Sequence, residues 1–368
     1  MFRTSLTWVR SHCSPRRGAS CFSTNGRSNL KIRTSILTCL CCVAWAASAQ
    51  DQAKHTITKF DVPGAGTGSG QGTLGIGIVK NGAIMGRYID STNVAHGYLR
   101  SPTGTITTFD PTGSVNTFPS GMNAAEEMTG YYLDSEGVYH GFQRTPTGTI
   151  TSFDAPGAGT SSGQGTIAED INTRGEVAGY YADSYGVLHG FLRSPIGHYT
   201  KFDAPGAGVG TVPAGFDALS DNGVVTGIYI DSFGINHGFL RTLHGPFEEF
   251  TPGNFSQVTG INTSGYAVGY FSIANNGIPD CYFRTPNGAI KDFGVFCVAV
   301  SINAGGDIAG TYYDSTGAQG FVRSPKGIRI TITVPGAAGT FPSSNNDSDA
   351  VTGFYVDSSG VQHGFLWE

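Results

Sequence analysis

The chain has 368 residues, of which 55 are glycine and only 13% are charged. This is about twice the glycine and half the charge of an ordinary soluble domain. The composition argues against a helical bundle, because each of its helices needs a polar face. It favours many short strands joined by tight turns.

Charge is distributed unevenly along the chain. Residues 1–49 contain seven basic residues and no acidic one, and the remaining residues contain 15 basic and 27 acidic side chains. The net charge of the part after residue 49 is therefore about −12. An acidic surface repels the phosphates of DNA and RNA, so the sequence argues against a nucleic-acid-binding function.

The N-terminal segment has the pattern of an export signal. An apolar run, Ser35 to Ala49, follows Lys31 and Arg33 and ends in the sequence Ala-Ser-Ala. A basic region, a short apolar core and a small-residue cleavage site are typical of a secretory signal peptide. The run is also short for a membrane span. We expect residues 1–49 to be a cleaved leader, and residues 50–368 to be one secreted or periplasmic domain without a transmembrane segment.

Five of the seven cysteines lie in this leader, so that only Cys281 and Cys297 remain in the expected mature domain. The domain has no Cys-x-x-Cys pair and no Cys/His spacing typical of zinc sites. In an exported protein the two cysteines could form a disulfide or remain buried thiols, and the sequence leaves both alternatives open.

A short motif recurs through the rest of the chain. The sequence His-Gly-Phe-Leu-Arg and its variants place their second residue at positions 97, 141, 190, 238, 281, 320 and 364. The seven copies are 39–49 residues apart. Such a period is typical of the blades of a β-propeller.

One repeat can be divided into four strands. From residue 164 onward, turn sequences rich in Gly, Asn, Asp and Pro separate segments 164–172, 176–182, 189–193 and 198–203. Four short strands joined by tight turns predict one antiparallel blade. Tyr and Phe of the second and third strands are expected to pack between neighbouring blades.

The two ends of the domain complement each other. The last repeat stops at Glu368 after its third strand, whereas residues 55–62 match the fourth strand of the other repeats. We expect this N-terminal strand to complete the last blade, because that pairing leaves no open sheet edge. The predicted fold is an all-β, seven-bladed β-propeller with four antiparallel strands per blade.

The repeat also resembles a bacterial extracellular repeat family named for its His-Ala-Phe (HAF) motif. Members repeat Ile-Asn-x-x-Gly-x-Val-x-Gly and then a His-x-Phe-Leu strand. Here 171–179 and 189–192 carry these pieces, with glycine in place of the alanine of the family name. The resemblance covers residues 55–368 and implies secretion and a propeller-like fold. It implies no activity and no catalytic residues.

An aspartate lies six residues before the motif histidine in five repeats. The pairs are Asp90 with His96, Asp134 with His140, Asp183 with His189, Asp231 with His237 and Asp357 with His363. Each pair spans the hairpin between the second and third strands, and a fourth-strand aspartate should reach the same edge (Asp61, Asp110, Asp154 or Asp203).

We interpret these pairs as hairpin clamps, in which the aspartate caps its turn and hydrogen-bonds to the histidine. They are also the candidate ligand-binding residues, because they lie on the loop face where a propeller would bind a ligand. We assign no metal site and no cofactor. A divalent cation held by Asp, Asp and His is the alternative.

An arginine ends the third strand in six repeats. Its members are Arg100, Arg144, Arg193, Arg241, Arg284 and Arg323. We expect each to form an inter-strand ion pair or a backbone contact, with a ring of anion-binding sites as the alternative.

These features predict an exported, non-enzymatic binding or scaffold module, monomeric, that holds a glycan, a peptide or an envelope protein on its loop face. Near-identical repeats favour binding, because catalysis usually requires one repeat to differ. We assign no catalytic residue. The alternative is a carbohydrate-active hydrolase or lyase that uses carboxylates of a central channel, such as Glu169 and Asp170.

Overall fold

The computed structural model describes residues 55–368 except 216, 243–244, 254 and 273–278. The predicted leader and its five cysteines lie outside the described residues. Within them the chain forms 28 β-strands and no helix, so the all-β prediction is confirmed. None of the described residues belongs to a helix that could span a membrane.

Antiparallel pairing arranges the strands in seven consecutive groups of four. Groups 1 to 4 contain β2 (Gly72–Ile78), β3 (Ile84–Ile89), β4 (Ala95–Arg100), β5 (Ile106–Phe109); β6 (Asn116–Met122), β7 (Met128–Leu133), β8 (Tyr139–Arg144), β9 (Ile150–Phe153); β10 (Gly165–Ile171), β11 (Val177–Ala182), β12 (Leu188–Arg193), β13 (Tyr199–Phe202); and β14 (Gly210–Pro213), β15 (Val224–Ile230), β16 (Asn236–Thr242), β17 (Phe247–Phe250).

Groups 5 to 7 contain β18 (Phe255–Ile261), β19 (Ala267–Ser272), β20 (Asp280–Arg284), β21 (Ile290–Val295); β22 (Cys297–Ile302), β23 (Ile308–Asp314), β24 (Gly317–Arg323), β25 (Arg329–Ile332); and β26 (Gly339–Asn345), β27 (Val351–Val356), β28 (Gln362–Trp367) with β1 (Ile57–Phe60). The fourth strand of group 7 is therefore the first strand of the described chain. It lies antiparallel to β28, with Ile57 opposite Trp367 and Phe60 opposite Gly364.

Each group packs against the next one in chain order, and group 7 packs against group 1. Single-residue parallel bridges join several neighbours, for example Gly165 to Tyr139 and Gly72 to Gln362. Because of these bridges the strands merge into two mixed sheets, of 16 and 12 strands. We call the contact between two consecutive groups a seam.

The largest fully buried side chains include one aromatic residue from each third strand, which agrees with the third-strand part of the predicted packing. This residue follows the glycine or cysteine of the motif and is fully buried in all seven groups: Tyr98, Phe142, Phe191, Phe239, Tyr282, Phe321 and Phe365. Rings of this size supply most of the apolar area that a small sheet can remove from water.

The motif glycine is required by the ring of the fourth strand beside it. Gly190 lies opposite Phe202 in the ladder, and a Cβ atom on Gly190 would lie 2.5 Å from the Phe202 ring. Gly97 stands in the same relation to Phe109. A side chain at this position would therefore displace the fourth-strand ring from the sheet.

Group 5 lacks the pairing of a motif glycine with a fourth-strand ring. Its motif position is Cys281, opposite Gly294, and Cys281 forms a disulfide with Cys297 in group 6, with the two Cα atoms 5.5 Å apart. Of the two alternatives left open by the sequence, the structure contains the disulfide. The bond links two groups covalently.

The arginine that ends each third strand covers a fourth-strand phenylalanine of the preceding group. The distances from guanidinium carbon to ring centroid are 4.5–5.3 Å for Arg100 with Phe60, Arg144 with Phe109, Arg193 with Phe153, Arg241 with Phe202, Arg284 with Phe250 and Arg323 with Phe293. Cation–π contact is thus the interaction that all six share. The expected backbone contact is also present for Arg100, Arg144, Arg284 and Arg323, each of which donates to the carbonyl of the next residue. Arg284 forms the expected ion pair as well, with Glu248. Both partners change together at seam 6–7, where Trp367 and Ile332 stand in their places.

Asparagine amides join the groups at the inner end of the ring. Asn346 opens the turn after β26, where its Oδ1 accepts hydrogen bonds from the N–H groups of Ser348 and Ala350. Its Nδ2 donates to the carbonyl of Val79 in group 1 at 2.9 Å. Equivalent bonds to the next group are donated by Asn123, Asn172, Asn262 and Asn303. Groups 1 and 4 lack this asparagine, and there Asn81 and Asn222 of the same turn reach the next group.

Removing one of these amides should weaken the ring. We expect Asn346→Ala to lower the free energy of unfolding by about 2–3 kcal/mol, because the buried Val79 carbonyl loses its donor and the turn loses its acceptor. Asn346→Ser is the matched control, since Ser220 accepts the turn N–H at the equivalent position of group 4. Serine should cost about 1 kcal/mol. Denaturant unfolding measures both, and equal stability of Asn346→Ala and the unchanged protein would contradict this role.

Candidate functional site

The connections between strands lie on two opposite faces. Turns between second and third strands share one face with the connections between groups, because the strands are antiparallel. Backbone hydrogen bonds join them, such as Gly163 N–H to Gly137 O at 2.8 Å and Gly70 N–H to Gly360 O at 2.9 Å. We call this side the loop face. The opposite side carries the turns after first and third strands, and we call it the turn face.

The predicted Asp and His pairs meet at five places on the loop face, and in two of them the predicted hydrogen bond is present. In group 2, His140 Nε2 lies 3.3 Å from Asp134, and its Nδ1 lies 3.0 Å from Asp154 of the fourth strand. In group 4, His237 Nε2 lies 3.1 Å from Asp231. Thr251 replaces the fourth-strand aspartate there, and its hydroxyl lies 2.9 Å from His237 Nδ1.

The other three histidines depart from the predicted pairing. His96 Nε2 lies 3.6 Å from Asp90. His189 Nε2 lies 3.5 Å from Asp183, and His363 Nε2 lies 3.5 Å from Asp357. These contacts are too long for the hydrogen bond across the hairpin that the sequence predicts.

The fourth strand supplies the closer partner of these three histidines. Its aspartate lies 2.7–3.0 Å from Nδ1 of the histidine in each of these groups, the partners being Asp110, Asp203 and Asp61. The hairpin aspartate itself accepts hydrogen bonds from the N–H groups of its own turn. The prediction is therefore corrected for His96, His189 and His363, whose hydrogen-bond partner is the fourth-strand aspartate. With carboxylates on both ring edges, these histidines position the loops.

Each cluster of hairpin aspartate, histidine and fourth-strand residue, which we call a clamp, fixes a hairpin. Asp134 Oδ1 accepts hydrogen bonds from the N–H groups of Glu136 and Val138, both at 2.9 Å, while Oδ2 faces His140. The imidazole in turn stacks on Tyr132 of the second strand, 5.1 Å between centroids. The two carboxylates lie on opposite edges of the imidazole and do not converge on a common point. Among the described residues, no group of three or more His, Cys, Asp or Glu has a metal-binding arrangement.

The clamps also control ionisation. The N–H of Val94 and the Thr92 hydroxyl hold the pKa of Asp90 at about 2. Burial lowers the pKa of His140, but hydrogen bonds to Asp154 and Asp134 outweigh it, so that the net pKa is raised. The pKa of the hairpin aspartate is lowered in all five clamps, so these aspartates stay ionised near neutral pH and give the loop face a negative rim.

Two aromatic side chains project from the loop face, and our sequence reasoning missed them. Tyr185 is 90% exposed and Phe233 is 87% exposed, each at the third position of an Asp-Ser-x-Gly turn in groups 3 and 4. The sequence did contain a signal for them. The third turn position is polar in groups 1, 2 and 7, which have Thr92, Glu136 and Ser359 there, and aromatic only in groups 3 and 4 of these five. Phe255, Phe296 and Tyr313 extend the exposed aromatic surface along groups 5 and 6.

All seven groups contribute to a central cavity that opens at the turn face, with a volume of about 220 Å³. Asp170 lines it, in agreement with the expectation of an acid in the channel, whereas Glu169 does not. Glu169 lies near Tyr131 and Tyr180 instead, and burial raises its pKa to about 8. Asp217 also lines the cavity, and our sequence reasoning missed it; it falls in extra residues between β14 and the next turn.

The cavity acids accept hydrogen bonds from protein groups around them. Asp170 accepts from the N–H of Ile171 at 2.7 Å and from that of Leu219 at 2.9 Å. Asp217 accepts from the Ser301 hydroxyl, two groups away, at 2.8 Å. Burial raises the pKa of Asp217 to about 6, and burial together with the Asp217 charge raises that of Asp170. Since protein donors occupy both oxygens of Asp170, this residue serves to tie the groups together.

No protein-family model and no curated protein matches the sequence. Among solved structures, the chain is similar to acylaminoacyl peptidase from Pyrococcus horikoshii (TM-score 0.57, 9% identity, 82% of this chain and 52% of that one) and to puromycin hydrolase (0.50, 14%, 78% and 50%). It thus spans about half the length of these two proteins. The WD40 β-propeller domain of Doa1 matches with a TM-score of 0.47, 10% identity, 85% of this chain and 97% of that one. At such identities the likeness concerns the fold alone.

The pKa of Asp217 predicts a pH-dependent effect of its neutralisation. The folded-state pKa of about 6 exceeds the ordinary value of 3.8, so the stability linked to protonated Asp217 is complete below pH 3.8 and is lost as the pH rises through 6. Asp217→Asn keeps an acceptor for Ser301 without the charge. Relative to the unchanged protein, its stability should rise by about 2–3 kcal/mol between acidic and neutral pH, at about 1.4 kcal/mol per pKa unit.

Unfolding at a series of pH values measures this difference. Asp349→Asn, at an exposed aspartate of the turn face, is the control and should show no such trend. A pH-independent effect of Asp217→Asn would refute the assignment.

Proposed function

We propose that residues 55–368 form a closed seven-bladed β-propeller, and that it acts as a secreted or periplasmic binding module of the His-Ala-Phe repeat type after removal of residues 1–49. Each four-stranded group is one blade. Support comes from the seven groups, from the packing of group 7 against group 1, and from the pairing of β1 with β28. The function needs no cofactor.

The exposed rings of Tyr185 and Phe233 carry the proposal that the loop face binds the ligand. At 90% and 87% exposure both rings are accessible to a partner, and residues that dominate binding energy are enriched in aromatic side chains. Both turns are rigid, because the Tyr185 N–H donates to Asp183 and the Phe233 N–H donates to Asp231, each at 2.8 Å. Aromatic side chains held in this way bind with little loss of conformational entropy.

The ligand classes that suit such a surface are a glycan, whose sugar rings stack on aromatic side chains, and a peptide or envelope protein. The clamp residues serve as positioning residues for the turns that carry the rings. The alternative of a hydrolase has less support. Both oxygens of Asp170 are engaged by the protein, and the two enzymes named above are similar in fold alone.

A glycan array tests the binding function. We expect the protein to bind a subset of glycans with and without EDTA, because the surface needs no metal. The double variant Tyr185→Ala with Phe233→Ala should lose affinity by about 30-fold, the effect of removing a central aromatic contact. Its unfolding temperature should not change, since both rings are exposed.

Ile196→Ala is the matched control, because Ile196 is also a large, exposed apolar side chain but lies on the turn face. It should bind as the unchanged protein does. Equal binding by the double variant would contradict a loop-face site, and binding abolished by EDTA would favour a cation at the clamps. Activity on a glycan that disappears in Asp170→Asn would favour the hydrolase.

A further inference from the structure

A second cavity lies on the turn face at seam 5–6, with a volume of about 280 Å³. Two cations, Lys291 of group 5 and Arg323 of group 6, line it together with the rings of Tyr266 and Phe283. This cavity is distinct from the loop face, so an inference about it does not depend on the function proposed above.

The neighbouring seam shows how the same positions are neutralised. The second residue of the fourth strand is Glu248 in group 4, and its carboxylate lies 2.7 Å from Arg284, the arginine of seam 4–5. The equivalent residue of group 5, by its place in the β-ladder, is Lys291. The other groups have Thr58, Thr107, Thr151, Thr200 and Ile330 at this position. The charge is therefore reversed at seam 5–6, where the lysine adds a second cation beside the seam arginine.

Both cations lie close to one aromatic ring. The Lys291 Nζ atom is 5.8 Å and the Arg323 guanidinium carbon is 5.4 Å from the centroid of Phe283. Arg323 donates to the carbonyl of Ser324 at 3.2 Å, and burial lowers its pKa. Of the described residues that line the cavity, none is a carboxylate. Arg323 is half-buried and Lys291 is exposed, so an anion that enters the cavity can contact both cations.

The remaining lining groups specify the rest of the ligand. Tyr266 and Phe283 offer apolar ring surfaces, on which the C–H face of a sugar packs well. Asn262, Ser264 and Thr285 supply the amide and hydroxyl groups that hydrogen-bond to sugar hydroxyls. The volume is close to the lower limit for small-molecule sites, about 300 Å³, which suits one ring at a time.

We propose that the cavity at seam 5–6 binds a carboxylate carried on a sugar ring, that is, a uronic acid residue. Arg323 and Lys291 bind the carboxylate, and Tyr266 and Phe283 enclose the ring.

Isothermal titration of the full chain with galacturonic acid tests this assignment, with galactose and acetate as comparison ligands. Galacturonic acid should bind about tenfold or more tightly than either, because only it carries both the ring and the charge. Its affinity should fall as salt is raised above about 0.15 M. Equal binding of galactose would overturn the role of the carboxylate, and equal binding of acetate would overturn the role of the sugar ring.

Lys291→Glu copies the charge of seam 4–5 and is the decisive variant. It should lose galacturonic acid affinity by about tenfold or more, yet unfold at a temperature no lower than the unchanged protein, since Glu can pair with Arg323 as Glu248 pairs with Arg284. Lys326→Glu makes the same charge change at an exposed residue outside the cavity, and should leave binding intact.

Lys291→Thr, which introduces the residue of four other groups, replaces Lys291→Glu if the latter fails to fold. Unchanged affinity in the folded Lys291 variant would overturn the proposal, as would an equal loss in Lys326→Glu. Galacturonic acid should also raise the unfolding temperature of the unchanged protein but not that of the Lys291 variant.

Discussion

A hydrogen bond from an asparagine amide in one group to the next group is the contact on which the ring depends. A four-stranded sheet with apolar side chains on both faces is not stable alone, because each face must be covered by a neighbour. The amides join these neighbours beside the central cavity. Asn346 donates the same kind of bond from group 7 to Val79 of group 1.

Farther from the central cavity, an arginine packs over a phenylalanine at six of the seven seams. Two seams differ from the others. At seam 6–7 both partners change, to Trp367 and Ile332, which keeps the seam apolar when the charge is lost. At seam 5–6 the disulfide of Cys281 and Cys297 adds a covalent link. The backbone of the repeat is thus the same at each seam, while the side chains at a single seam differ. Lys291 is one such side chain.

The two faces divide the remaining roles. On the loop face the clamps keep the hairpins rigid, and the third residue of each turn is free to vary. Tyr185 and Phe233 occupy that variable position in adjacent groups, which makes a rigid aromatic surface. On the turn face the central acids tie groups together across the axis, because Asp217 reaches Ser301 two groups away. The proposed binding surfaces therefore lie where a side chain departs from the repeat.

The sequence by itself determined the all-β class, the repeat with its strands, and the approach of each motif histidine to the aspartates of its own group, because these follow from local alternation, turn residues and a period. Only the tertiary structure decided which aspartate each histidine bonds to. The distance from the histidine Nε2 to the hairpin aspartate is 3.5–3.6 Å for His96, His189 and His363 and 3.3 Å for His140, and local sequence does not determine a difference of this size. It also decided the contacts between groups. The stacking of Arg on Phe, the amide bonds across seams and the disulfide join residues of different repeats, about which local patterns contain no information. For the same reason the neighbours of Asp217 and Lys291 could not be predicted, since side chains from two or more groups create each site.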